Sequence, residues 1–238
     1  MDDTTVMALV GTAAFLGFLH TLAGPDHYLP FVAMSRIGRW SLPKTIGVTL
    51  ACGVGHVSSS VVLGVFGIAL GTAVTGLEWF EGLRGDLAGW LLLGFGLAYT
   101  VWGVRHAIRN RPHTHRHVHE GGLIHAHRHG HLGKHAHVHA DDQQVASMTP
   151  WILFTIFVFG PCEPLIPLLM YPAAKLSWWG VGLVALVFSL VTLTTMTGIV
   201  VVVCLGLTKA TFLHLERYGH VAAGLLVSAC GAAVKLGL

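Results

Sequence analysis

The chain has 238 residues, of which 53% are hydrophobic and only 11% charged, where soluble domains carry roughly 25% charged residues. With a mean hydropathy of +0.68, that balance excludes an ordinary soluble domain and places the chain among membrane proteins. The net charge of +3 does not point to nucleic acid, because the basic residues follow membrane topology.

The N-terminus opens with Asp2 and Asp3 rather than a basic segment, so no cleavable signal peptide is expected. Apolar stretches long enough for a hydrocarbon core occur at roughly 6–34, 46–71, 87–105, 149–173, 178–206 and 214–236. They predict an all-α integral membrane protein of about six transmembrane helices.

The first span contains FLHTLAGPDHYLPF, residues 15–28. His20, Asp26 and His27 flank a Gly24–Pro25 interruption, and Pro25 frees the carbonyl of Thr21 from its helical bond. In an unbroken helix His20 and His27 would lie about 10.5 Å apart along the axis. Metal–ligand bonds near 2 Å demand convergence, which an unwound Gly24–Pro25 segment permits. Freed backbone at membrane depth is tolerated only against protein or a cavity, and ionisable groups there mark functional sites. These three residues are therefore candidate metal ligands.

The second span carries His56 in GVGHVSSS, where Gly53 and Gly55 allow close helix approach. Ser58, Ser59 and Ser60 are expected to bond back to their own helix. After the third span, residues 113–140 read HTHRHVHEGGLIHAHRHGHLGKHAHVHA. His113, His115, His117, His119, His125, His127, His129, His131, His135, His137 and His139 form a metal-binding composition. The glycines argue against a stable fold, so the tract is expected to buffer, sense or deliver a cation on the cytoplasmic side, not to translocate it.

The fourth span holds FGPCEPLIPLLM, residues 159–170. Gly160–Pro161 repeats the Gly-Pro break and frees the carbonyl of Phe157. Cys162 and Glu163 take the places of Asp26 and His27. Glu163 is a candidate ligand, gate or proton carrier, and Cys162 a soft ligand or a packing residue. Thr192, Thr194, Thr195 and Met196 in the fifth span are candidates to line the same cavity. Cys52, Cys162, Cys204 and Cys230 all fall within spans, which is no secreted disulfide framework.

Two halves emerge. GPDHYLPFVAM (24–34) aligns with GPCEPLIPLLM (160–170), and HVSSSVVLGV (56–65) with TLTTMTGIVV (192–201). In the third and sixth spans, Gly96 and Gly103 match the spacing of Gly224 and Gly231. Three spans per copy predict a 3+3 inverted repeat, broken in its first and fourth helices, of the kind secondary transporters use. The units are residues 1–105 and 149–238, with the His-rich cytoplasmic loop 106–148 between them. With both termini outside, Arg36, Arg39, Lys44, Arg105, Arg109, Arg111, Arg116, Arg128, Lys134, Lys209 and Arg217 lie inside and only Arg84, Lys175 and Lys235 outside, as the positive-inside rule requires.

HTLAGPDHYLPF, GHVSSS and FGPCEPLIPLLM together resemble the nickel/cobalt transporter superfamily, particularly its urease-accessory-type nickel permease branch. The better-known permeases have four residues between the first histidine and Asp-His, where this chain has five. The resemblance implies a divalent transition-metal substrate, with His20, Asp26, His27 and His56 as substrate ligands. It favours uptake across a bacterial-type cytoplasmic membrane. The His-rich loop, similar to that of nickel/cobalt exporters in the wider superfamily, keeps efflux as the alternative.

No resident cofactor is expected beyond the transported ion. The expected partners are that ion and the bilayer, with a cytoplasmic metal-delivery protein or a second copy of the chain as further candidates. No P-loop pattern occurs, and enzymatic activity is not expected. A thiol–disulfide electron carrier built on Cys162 would need a partner thiol. An intramembrane zinc hydrolase ranks last, because no HExxH is present.

Overall fold

The computed structural model describes residues 3–71, 74–109, 113–118, 124–129, 140–162, 164–175, 177–206 and 218–237. Helix α1 (Asp3–Ala23) is followed by a single 3-10 turn, Pro25–His27, and by α2 (Leu29–Ile37). Gly24 is extended, with φ −89° and ψ 94°, and Pro30 falls in the first turn of α2. Proline is accommodated there because no intrahelical donor is yet required. Helix α3 (Leu42–Ala69) starts on Ser41, whose side chain accepts the Lys44 N–H. It is followed by α4 (Val74–Arg109).

Strands β1 (His113–Val118) and β2 (Ile124–His129) precede α5 (Ala140–Phe159), α6 (Leu165–Ala174), α7 (Trp178–Gly206) and α8 (Gly219–Leu236). Among the described residues, five helices are long and apolar enough to cross a membrane: α1, α3, α4, α7 and α8. The last turns of α5 and all of α6 are shorter apolar helices.

The surface is apolar where a soluble protein would be polar. Phe15, Phe66, Trp79, Trp179, Leu186 and Val202 are all exposed, whereas Thr49, His56, Ser60, Glu81 and Thr192 are buried. Large exposed apolar surfaces need a nonaqueous partner, and here the helices turn such a surface outward around an interior that keeps the polar groups.

Helix α4 lies along α8, α1 along α7, and α3 against α5 and α7. The α4–α8 contact is a backbone seam. A Cβ on Gly96 would strike Ser228 and the Gly224 carbonyl, one on Gly231 would strike Leu93 and the Gly89 carbonyl, and one on Gly103 would strike His220. Residue numbers rise along one helix as they fall along the other, so the two run antiparallel. One apolar cluster gathers Phe31, Phe157, Leu153, Met196 and Val227; another gathers Phe188, Cys162, Leu165, Leu169 and Ala13.

Two expectations change. The third apolar span starts not near residue 87 but inside a helix that opens at Val74, which brings Glu81 and Arg84 into the bundle. Hydropathy alone excluded this charged turn. The His-rich tract is also not without regular backbone: β1 pairs antiparallel with β2, His113 opposite His129, His115 opposite His127 and His117 opposite His125. Alternating sequence suits a period of two, and Gly121 and Gly122 fall between the strands in sequence. His119, His131, His135, His137 and His139 lie outside the described residues. Helix also reaches into both ends of segment 106–148, through α4 to Arg109 and α5 from Ala140.

Candidate metal centre

The first interruption turns the chain back upon the end of α1. Gly24 N–H donates to the His20 carbonyl at 3.1 Å, and His27 N–H donates to the Gly24 carbonyl at 3.1 Å. This tight path brings the His27 ring edge-on to His20, with centroids 4.6 Å apart. Gly24 is needed at that bend, since a Cβ there would sit 2.5 Å from His27 Nδ1.

The second interruption receives His56 from α3. The Phe157 carbonyl, left free by Pro161, accepts the Gly160 N–H at 3.0 Å and faces His56 Nδ1 at 3.3 Å. With Nδ1–H donating to that carbonyl, His56 Nε2 carries the lone pair. A Cβ on Gly160 would lie 2.8 Å from His56 Nδ1, so each break places a glycine against an imidazole.

His20, His27 and His56 each offer a ring nitrogen, and the three nitrogens lie within 4.8 Å of one another. His27 is oriented from behind. Its Nδ1 is 3.2 Å from the Gly24 carbonyl and 3.3 Å from Asp26 Oδ1, while its buried Nε2 has no hydrogen-bond partner. A buried polar atom without a partner is costly, and a coordinated cation would satisfy it. Carboxylates commonly orient metal-binding imidazoles in this manner.

A cavity of about 30 Å³ adjoins Asp26, His27, His56, Phe157, Gly160 and Pro161. Such a space admits water or a small ion beside the imidazoles.

Sequence reasoning missed the support for the second break. Arg84, from α4, donates through Nη2 to the Val158 carbonyl at 2.9 Å, the Gly160 carbonyl at 3.2 Å and Ser59 Oγ at 2.6 Å. Its Nη1 reaches Ser60 Oγ at 3.2 Å and pairs with Glu81. Glu81 Oε2 in turn accepts the Cys162 N–H at 3.1 Å. An exposed helix end thus has its carbonyls capped by a guanidinium and the following N–H by a carboxylate. The signal in the sequence was Glu81-x-x-Arg84, one helical turn apart, beside the serines that follow His56.

The structure brings His20, His27, His56 and Cys162 together, with Gly24, Pro25, Gly160 and Pro161 forming the two bends. Asp26 stands behind His27. Thr194 is exposed and bonds back to the Leu190 carbonyl at 2.7 Å. Thr195 is half-buried, and Met196 is buried in the apolar cluster; neither lines the cavity. Thr192 is buried against Gly17. Glu163 lies outside the described residues.

Comparison with protein-family models, curated proteins and solved structures finds no match to this chain.

Proposed function

We propose that this protein is a secondary transporter carrying a divalent transition-metal ion, nickel or cobalt favoured, across the cytoplasmic membrane in the direction of uptake. The observation that carries this reading is the convergence of three imidazoles, His20, His27 and His56, within 4.8 Å at the interior of an apolar helical bundle. The unpartnered His27 Nε2 supports it, and a small cavity adjoins His27 and His56. Imidazole suits nickel, cobalt and zinc far better than magnesium or calcium.

A 3+3 inverted repeat with broken first and fourth helices and both termini outside is part of the proposal. It equates α1–α2 with α5–α6, α3 with α7, and α4 with α8. Exchanging the halves turns the α1–α7 packing into α5–α3, α2–α8 into α6–α4, and α2–α3 into α6–α7. All of these pairs occur, which favours the repeat. In such folds alternating access comes from one half moving against the other around a central site. The thiol–disulfide alternative is less favoured, since the matching position of the first Gly-Pro break holds Asp26 rather than a cysteine.

The test is nickel accumulation in energised cells expressing wild type or His27→Ala at equal membrane levels. Uptake predicts a gain over control cells that His27→Ala abolishes. A His27-dependent loss of cellular nickel reverses the direction to export. Equal nickel in all three sinks nickel transport, and cobalt or zinc would then be tried.

A further inference from the structure

Cys162 is a fully buried thiol between two of the three histidines. Its Sγ is 3.1 Å from His56 Nε2 and 3.9 Å from His20 Nε2. Buried cysteine most often serves as a small packing residue, but three features set this one apart.

Its position is held from both sides of its peptide. The N–H donates to Glu81 Oε2 at 3.1 Å, and the carbonyl accepts the Leu165 N–H that opens α6 at 2.9 Å. Its nearer neighbour, His56, presents a lone pair at Nε2, because it spends its Nδ1–H on the Phe157 carbonyl. The third histidine of the cluster, His27, keeps a buried Nε2 with no partner.

Metal–nitrogen bonds of about 2.0 Å and metal–sulfur bonds of about 2.3 Å at a tetrahedral angle place sulfur about 3.5 Å from each nitrogen. The two observed separations bracket that value.

We infer that Cys162 is the fourth ligand of the metal site, completing a set of three imidazoles and one thiolate from α1, the 3-10 turn, α3 and the α5–α6 link. The inference rests on the three-histidine site and adds to it a soft donor from the other half of the chain. As the metal–sulfur bond forms, the S–H proton is released to water, and the ion stays divalent. The ligand class served is a borderline divalent cation that accepts tetrahedral coordination by three nitrogens and one sulfur: cobalt(II), zinc(II) or nickel(II). Hard, oxygen-seeking cations are disfavoured. Because the sulfur belongs to the second half and the imidazoles to the first, the complete set exists only while the halves are docked as they are here.

Cobalt(II) itself is the probe, added to the purified full-length protein. The His-rich tract contains no cysteine, so any cobalt it takes up contributes no sulfur-to-cobalt charge transfer. The expected result is a near-ultraviolet thiolate charge-transfer band with strong tetrahedral visible bands. The charge-transfer band is lost in Cys162→Ser and retained in Cys52→Ser. X-ray absorption at the cobalt edge of the wild type, which needs no variant, should show sulfur at about 2.3 Å. Tetrahedral cobalt that depends on His27 yet shows no sulfur overturns the inference and leaves the three-histidine site standing. Absence of any His27-dependent cobalt overturns both.

Discussion

His27 is held by its Nδ1, which leaves Nε2 for the proposed ion. Its Nδ1 faces Asp26 and the Gly24 carbonyl, so the ring presents Nε2 to His20 and His56. Asp26→Asn keeps an acceptor oxygen in nearly the same volume and removes the charge. Loss of such an outer partner costs about 10–100-fold in metal affinity. Calorimetric titration of the purified variant with nickel should show that loss with the folded state retained. Unchanged affinity would separate Asp26 from the site.

The three histidines were legible because an ionisable group in an apolar span needs a reason to be there. Asp26 was expected as a ligand, and its place behind His27 was not legible, because a 3-10 turn sets side-chain directions that periodicity does not encode. Thr194 shows the same limit. It is two residues from Thr192, about 200° around the helix, so the two cannot face one cavity. Aligning TLTTM with HVSSS gave no helical phase.

At the level of elements, the Glu81–Arg84 pair on α4 ties the end of α5 to α3. Arg84 takes two carbonyls of the second break and Glu81 takes the Cys162 N–H. Glu81 is fully buried, so removing only its partner leaves an uncompensated charge. Arg84→Met is expected to destabilise the protein by about 3–5 kcal/mol, the usual cost of breaking a buried pair. Combining it with Glu81→Gln should recover part of that loss, because the stranded charge goes too. Thermal unfolding in detergent checks both, and a double variant no better than the single would deny the coupling. The pair escaped sequence reading for a physical reason. Hydropathy scores each residue as if it faced lipid, whereas these two charges face each other and the backbone.

For the whole molecule, the seam between α4 and α8 joins the two halves of the chain. Gly96 and Gly224 let the backbones touch, leaving no room for side chains. Gly94, on another face of the same helix, has nothing within 4 Å of its Cβ position. Gly96→Leu should therefore lower the midpoint of thermal unfolding and the yield of folded protein, while Gly94→Leu leaves both near wild type. Equal effects would mean that helix propensity, not the seam, decides. The matched glycine spacings in the third and sixth spans thus correspond to a contact. The antiparallel pairing of those helices could not be deduced from spacing alone, because it depends on which faces meet.

The convergence of three imidazole nitrogens within 4.8 Å of one another carries a consequence for discrimination in a cell rich in magnesium. A divalent cation in water is surrounded by water oxygens, and it must give up several of them before those nitrogens can bind it directly at about 2 Å. Magnesium parts with water reluctantly, and the donors that converge there are imidazole nitrogens rather than a set of oxygens that would compensate it. For the proposed cargo, selection against the most abundant competitor is thus exerted by hydration at the threshold, before any difference in affinity between similar transition metals is tested.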